Sequence, residues 1–367
     1  MRDRNISAHD LAAELKVDEE KFRDLLNGEG SPSLTLLKNI AKFFNRGLLF
    51  FIAKGHVNET KLRSAGFRTL ANEYPQIDPA IKSLMERVER QRQIFMSLRE
   101  ELGEVETETF SPPKIPLDDL KQAAGITRKW LSLNGDRSFD AYRQALESKG
   151  VLVFRSNGFT GAWRVPTESN IEGFSIYHKE FPIIFVRKQD AKQRQLFTLA
   201  HELGHIILHR NGSIDSEENL YAAKGMERDV NAFAGFLLVP DDVLKGIDST
   251  EKPNSPQQFE QWLREPAKAS GVSVEVILRR LLDTNRLTGA EYRTYRDWKK
   301  DEIRPEAGMA VRKFRYREPV NVFGRSYVGT VLEALGARQI STTKASRFLD
   351  NIKIQDVHRL QREFNAL

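Results

Sequence analysis

The 367-residue sequence contains no cysteine. That excludes a disulfide framework, a thiolate metal site and a cysteine nucleophile, and it fits a reducing, cytoplasmic compartment. Any metal ion must be held by His, Asp or Glu. No window approaches the roughly 18 uninterrupted apolar residues of a membrane-spanning helix. The N-terminus MRDRNISAHD lacks an apolar signal region, so no membrane partner is expected. Internal repeats and low-complexity tracts are also lacking. Charge of one sign is scarce: 57 Lys and Arg against 51 Asp and Glu leave a net +6, too diffuse over this length to demand a nucleic acid. What the chain does have is length, enough for two or three domains with their own cores.

Residues 7 to 52 carry three short helical patterns, a helix-turn-helix module assigned to 1–54. The first places Leu11, Leu15 and Val17, the second Phe22, Leu25 and Leu26 before a stop at Gly28. The third opens at a Ser-Pro signal and sets Leu34, Leu37, Ile40, Ala41 and Phe44 on one face. Residues 55–112 form a linker with a long charged helix, whose stripe of Ile81, Leu84, Met85, Val88 and Phe95 suits a connector or a pairing helix in a homodimer. A boundary is expected near residue 112, in the proline-bearing TETFSPPKIP. Residues 113–245 then read as a helix (FDAYRQALESKG), a strand (VLVF), a β-hairpin (EGFSIYHKEFPIIFVRK), a helix through 208, an acidic loop (GSIDSEENLY) and a helix closed by Pro240. The expected class is α+β, mostly helical.

The segment LAHELGHIILH carries the chemistry. Asp190 and Gln193 make a capping box, which predicts one helix from there through Leu208. On it His201 and His205 stand one turn apart on one face, the spacing that lets two imidazoles share a tetrahedral ion. Glu202, about a hundred degrees round the axis, reaches a water on the ion rather than the ion, and is the general base. The competing reading is a buried helix with two core histidines. A catalytic zinc needs a third protein ligand. His209 lies about 12 Å further along the axis, too far to join both other histidines. In the next helix Val230, Phe233, Ala234, Leu237 and Leu238 fall between about 240° and 20° when Glu227 is set at zero. Glu227 thus borders the core face and is the expected third ligand, whereas Asp229 points away. Asn231, one turn on, can hydrogen-bond a ligand. Tyr221, His209, Tyr177 and His178 are candidate donors to a polarised carbonyl.

FTLAHELGHIILH followed by MERDVNAFAGFLLVP resembles the ImmA/IrrE family of bacterial metallopeptidases. The family's second motif, Glu-x-x-Ala-Asn-x-Phe-Ala and then Leu-Leu-Met-Pro, is matched at Glu227, Asn231, Phe233, Ala234, Leu237, Leu238 and Pro240, with Val230 for alanine and Val239 for methionine. The resemblance implies a zincin-like α+β core, a Zn2+ cofactor and a repressor-type protein as substrate. Imidazole and carboxylate donors also suit manganese, iron or cobalt; zinc is preferred on geometry and precedent. Members often carry an N-terminal helix-turn-helix of the Xre type, and the likeness extends loosely through FRTL and the RQRQ helix.

DNA is a weaker partner. The recognition helix opens on Asp18, Glu19 and Glu20, and residues 1 to 54 hold nine Lys and Arg against eight Asp and Glu. The turn glycine of the family is Lys16, and its Trp-Glu pair is Leu25-Leu26. Lys21 and Arg23 are the DNA-contact candidates, with protein docking or autoinhibition the preferred role of the module. Residues 246–367 read as a helical and mixed regulatory or interaction region. It has a second helix-turn-helix-like element built on Val272 and Leu278, candidate strands at GMAVRKFRY and SYVGTVLEAL, a basic edge strand RKFRYRE, and a helix at TTKASRFLDN. Two further readings belong to other classes. One is a DNA-binding transcription regulator with a structural or sensory metal; the other is a toxin–antitoxin or prophage protein acting by contact alone.

Overall fold

The computed structural model describes residues 8–15, 17–43, 78–104, 110–133, 135–157, 161–189, 191–216, 225–301 and 315–364. They divide into two compact units, Met1–Arg87 and Val88–Leu367. The class is α+β, mostly helical with one small mixed sheet.

In the first unit α1 (Ala8–Glu14), α2 (Glu19–Asn27) and α3 (Leu34–Phe43) follow the three apolar patterns. Leu11, Ala12 and Phe22 are buried, with Leu15, Val17 and Ile40 packed on them. Asp18 caps α2 by accepting from the Lys21 amide. The Ser-Pro pair does not cap α3; Ser33 does, its Oγ accepting from Leu36 N at 3.1 Å, because a side-chain oxygen must sit just before the first turn to reach its free amides. Leu26 and Leu34, expected in the apolar stripes, are exposed. Lys16, Phe44 and the FRTL segment lie outside the described residues.

A long helix, α4 (Pro79–Glu101), buries Ile81, Leu84, Met85, Val88 and Phe95. In the second unit it is followed by α5 (Leu120–Trp130), α6 (Phe139–Glu147), β1 (Leu152–Arg155), β2 (Ile171–Ile176), β3 (Ile183–Val186) and α7 (Lys192–Gly204). A π-helical turn, His205–His209, continues α7 into β4 (Ser213–Ser216) and α8 (Gly225–Leu238). Ala191 occupies the cap position of α7 without a side-chain bond; Asp190, on which the expected capping box rests, lies outside the described residues. The sheet order is β1-β3-β2-β4, with β1 parallel to β3 and β2 antiparallel to both neighbours. The alternation of strand side chains gives the sheet two buried faces. Val153, Ile184 and Val186 join the core that includes α7 and α8, while Phe154, Phe174 and Phe185 face the other way.

That second face corrects the expected C-terminal strands. SYVGTVLEAL lies within a helix, α14 in this numbering, after α9 (Asp241–Lys245), α10 (Phe259–Trp262), α11 (Arg264–Ser270), α12 (Val274–Asp283) and α13 (Gly289–Asp301). α14 (Glu318–Gly336) is kinked at Gly324, and Phe323 and Tyr327, on either side of the kink, pack against Phe154, with Phe323 also against Trp163. Of the basic strand RKFRYRE, Arg315–Arg317 form a 3-10 turn and Glu318 begins α14; residues 308–314 lie outside the described set. α15 (Thr342–Phe348) and α16 (Ile354–Glu363) complete the chain. Val272 and Leu278 are buried as expected.

α13 begins with a capping box. Glu291 Oε2 accepts from Thr288 N at 2.8 Å, and Glu291 N donates to Thr288 Oγ1 at 3.2 Å. Burial raises the Glu291 pKa, but Lys252 at 2.8 Å and the bonds that Thr288 N and Thr288 Oγ1 donate to Oε2 outweigh it and bring the pKa down to about 2. A depressed carboxylate stabilises the fold above its unfolded pKa of 4.5, and that contribution is lost as pH falls toward 2. Glu291→Ala is expected to cost about 1 kcal/mol at neutral pH. Urea unfolding at pH 7 and at acid pH checks this: the gap between variant and wild type should narrow on acidification.

Candidate metal centre

The site is set by how closely α7 approaches its neighbours. Residue 204, the glycine inside HELGH, is where α8 packs: a Cβ there would meet Val230 Cγ1 at 2.8 Å and Phe233 Cδ1 at 3.2 Å. Without that Cβ the helices close together, and the first two turns of α8 lie alongside His201. On the sheet side, a Cβ at Gly173 of β2 would stand 2.8 Å from Glu202 Oε1 and 2.9 Å from the Phe185 carbonyl. The carboxylate of residue 202 therefore fits because residue 173 has no side chain.

Four side chains converge: His201, His205, Asp215 and Glu227. The two Nε2 atoms are 3.1 Å apart. Glu227 Oε2 lies 3.3 Å from His201 Nε2 and 3.6 Å from His205 Nε2, and Asp215 Oδ2 lies 3.5 and 3.4 Å from the same atoms. A tetrahedral ion with bonds of about 2.1 Å has ligand atoms about 3.4 Å apart, so the donor spacing fits zinc. Glu227 Oε2 is buried without a hydrogen-bond partner, as is Glu202 Oε1. Such orphaned oxygens are costly unless a cation or a reacting group satisfies them. His201 Nδ1 donates to Asn231 Oδ1 at 2.9 Å. An amide oxygen only accepts, so the bond fixes the proton on Nδ1 and turns the Nε2 lone pair into the cluster.

The charges agree with a cation-binding cavity. Burial works against a charged His201, yet hydrogen bonds and fields from Asp215 and Glu227 raise its pKa to about 9. Burial raises Glu227 also, but the pull of His201 and His205, 3.3 and 3.6 Å from its Oε2, wins and lowers it. Glu202 is pushed well above the usual carboxylate range, first by burial and then by the charge of Asp215, with Ser213 opposing. Ser213 Oγ stands 2.9 Å from Glu202 Oε2 and 2.8 Å from Asp215 Oδ2. A divalent ion among these donors reverses the sign of the local field.

Of the residues expected from sequence, the structure brings His201, His205, Glu227 and Asn231 together, with Glu202 alongside. Asp229 points outward, against Arg228. The His209 ring is 6.1 Å from the His205 ring, and its buried Nε2 has no hydrogen-bond partner. His178 is engaged elsewhere, 2.6 Å from Glu89; Tyr177 packs against the main core. Tyr221 lies outside the described residues. Lys21 and Arg23 sit on α2, where Arg23 donates to Glu19 Oε1 at 2.7 Å.

Asp215 and Ser213 were not anticipated in the donor cluster, because the segment reads as an acidic loop whose DSEE run is either solvated or a gate to the cleft. Its first residues instead form β4, which pairs with β2 and turns Ser213 and Asp215 toward α7 while Ile214 faces away, opposite Phe174. The polar-apolar-polar order Ser-Ile-Asp was the available signal, a period of two over too few residues to stand out.

Residues 147–282 match the family model of the IrrE N-terminal-like domain, Peptidase_M78, which covers well under half of the chain. Over 83 residues the chain is 34% identical to an uncharacterized immunity region protein 2 of Bacillus phage phi105, covering 22% of this chain and 52% of that protein. The chain thus spans about half the length of the curated relative it matches. No solved structure matches the chain.

Proposed function

We propose that the segment similar to the peptidase domain is a zinc-dependent endopeptidase acting on a repressor-type regulatory protein. The observation that carries this reading is the convergence of His201 Nε2, His205 Nε2 and Glu227 Oε2 beside a buried Glu202 whose Oε1 has no partner. Three such donors would hold the ion, and when bound it supplies a Lewis acid that polarises the scissile carbonyl and acidifies a water. Glu202 takes the proton of the attacking water on its carboxylate and passes it to the leaving amine. Asn231 holds His201 in the tautomer that leaves Nε2 free. Gly173 leaves the Glu202 carboxylate its room, and the burial of His201, Glu202 and His205 keeps bulk water from competing. Among the described residues, His209 is the candidate donor to the developing oxyanion. The assignment to a repressor substrate rests on the similarity to the peptidase domain and on a relative whose name places it in a phage immunity region.

The N-terminal unit is assigned a docking or autoinhibitory role rather than sequence-specific DNA reading, since α2 opens on Glu19 and Glu20 and its Arg23 is paired within the helix. Neither the DNA-binding regulator nor the toxin–antitoxin or prophage protein acting by contact alone accounts for the clustered donors beside Glu202. A purely structural metal would not call for an acid with an unpaired oxygen at position 202.

Elemental analysis of protein purified without a histidine tag tests the metal reading. We expect about one zinc per chain in wild type and in Asp229→Ala, and loss or severe weakening in His205→Ala and Glu227→Ala. A folded wild-type chain that holds no metal would overturn the proposal.

A further inference from the structure

Resting on that reading, we propose that Asp215 is a fourth, displaceable ligand that closes the metal site in its resting state, so that β4 acts as a built-in stopper. A catalytic zinc site keeps one coordination position open for water, whereas four protein donors close it. Here Asp215 would supply a fourth donor. Asp215 Oδ2 lies 3.5 and 3.4 Å from the two Nε2 atoms, as near as the Glu227 oxygen, and all four donor atoms lie within 4.8 Å of one another.

The position taken is the one the reaction requires. Ser213 Oγ bridges Glu202 Oε2 and Asp215 Oδ2 at 2.9 and 2.8 Å, which places the Asp215 oxygen on the Glu202 side of the cluster. A water able to give its proton to Glu202 would have to stand there. Charge points the same way. Two neutral imidazoles and two carboxylates balance a dication, which suits a buried closed site. Three ligands leave one positive charge, which strengthens polarisation of a carbonyl and favours binding of an anionic probe.

The element that carries Asp215 is suited to moving. β4 is a four-residue strand at the sheet edge, with β2 its strand neighbour among the described residues, and its register with β2 shifts between Ile171 and Gly173, next to the Gly173–Asp215 pair. His201, His205 and Glu227 instead sit on two helices packed into the main core. Short edge strands next to a bulge are low-stability elements, and withdrawing β4 would free one corner while leaving the other three ligands in place.

The test uses the full chain loaded with zinc or cobalt and acetohydroxamic acid, a chelating probe that needs an open coordination position. In wild type we expect the cobalt visible spectrum to resist the probe. Asp215→Ala and Asp215→Asn should bind the probe about tenfold or more tightly than wild type, and should bind zinc about 10- to 100-fold more weakly against a chromophoric chelator. Asp215→Asn preserves the shape of the residue and its contact with Ser213, so it decides the matter if the alanine variant fails to fold. The wild-type spectrum is a measurement that needs no variant. A wild-type spectrum that shifts as readily as those of the variants, with zinc affinity unchanged by substitution, overturns the stopper and leaves the metal reading standing. Absence of any metal from wild type overturns both.

Discussion

Glu202→Gln is expected to leave the chain folded and its zinc content unchanged while lowering proteolytic turnover by about a hundred- to ten-thousand-fold. The substitution is nearly isosteric, and the conditions for tolerating it are present. Oε2 accepts from Ser213 Oγ, which can equally bond an amide, and the space next to Oε1 is the hollow left by Gly173. What disappears is the ability to accept a proton from water. Because Glu202 donates none of the clustered ligand atoms, the variant separates holding a metal from using it. The measurement is cleavage of a purified repressor-type protein, followed on a gel beside metal analysis of the same sample. Equal cleavage by wild type and variant would remove Glu202 from the mechanism. Loss of metal together with activity would mean that the carboxylate is a ligand rather than a base.

The second large effect is far from the metal. Arg143→Ala is expected to destabilise the second unit by about 3–5 kcal/mol, because it strands a buried carboxylate. Arg143 Nε donates to Glu147 Oε1 at 3.0 Å, and the two side chains are 6% and 5% exposed, which rules out rescue by solvent. Its remaining donors reach Val153 O on β1 and the carbonyls of Val320, Asn321 and Val322 at the start of α14. The other Glu147 oxygen accepts from Ser326 N. One guanidinium thus joins α6, β1 and α14. Burial lowers the pKa of Arg143 and raises that of Glu147, each opposed by the other's charge, so neither is stable alone. Thermal unfolding should show a fall of roughly 6–20 °C, taking about 2–4 °C per kcal/mol for a unit of this size. The double variant Arg143→Met with Glu147→Leu should recover part of the loss, since a matched apolar pair leaves no buried charge. A single variant that melts with wild type would show that the pair carries no net stability.

Much of the site was legible in the sequence because helices obey a short, rigid period. His201 and His205 share a face by the i, i+4 rule, and the apolar stripe of Val230, Phe233, Ala234, Leu237 and Leu238 orients α8 so that Glu227 faces inward and Asp229 outward. The hairpin Ile171–Val186 followed from two apolar runs around a polar turn. Three features were decided elsewhere. The cap of α7 at Ala191, which has no side-chain bond, is marked by no residue pattern. The stretch SYVGTVLEAL, rich in residues that favour strands, is helical: it follows the kink at Gly324, and its Tyr327 packs with Phe323 from before the kink over Phe154 on the second buried face of the sheet. The role of Asp215 is tertiary in origin too.

By itself, then, the sequence determined the two helices that carry His201, Glu202, His205 and Glu227, because each depends on residues a few positions apart on a regular spiral. Only the tertiary structure decided that a four-residue edge strand would place Asp215 and Ser213 between them, and that α14 would cover the far side of the sheet. Those placements depend on strand pairing and close packing between distant segments, driven by burial of apolar surface and by two glycines small enough to let the layers meet.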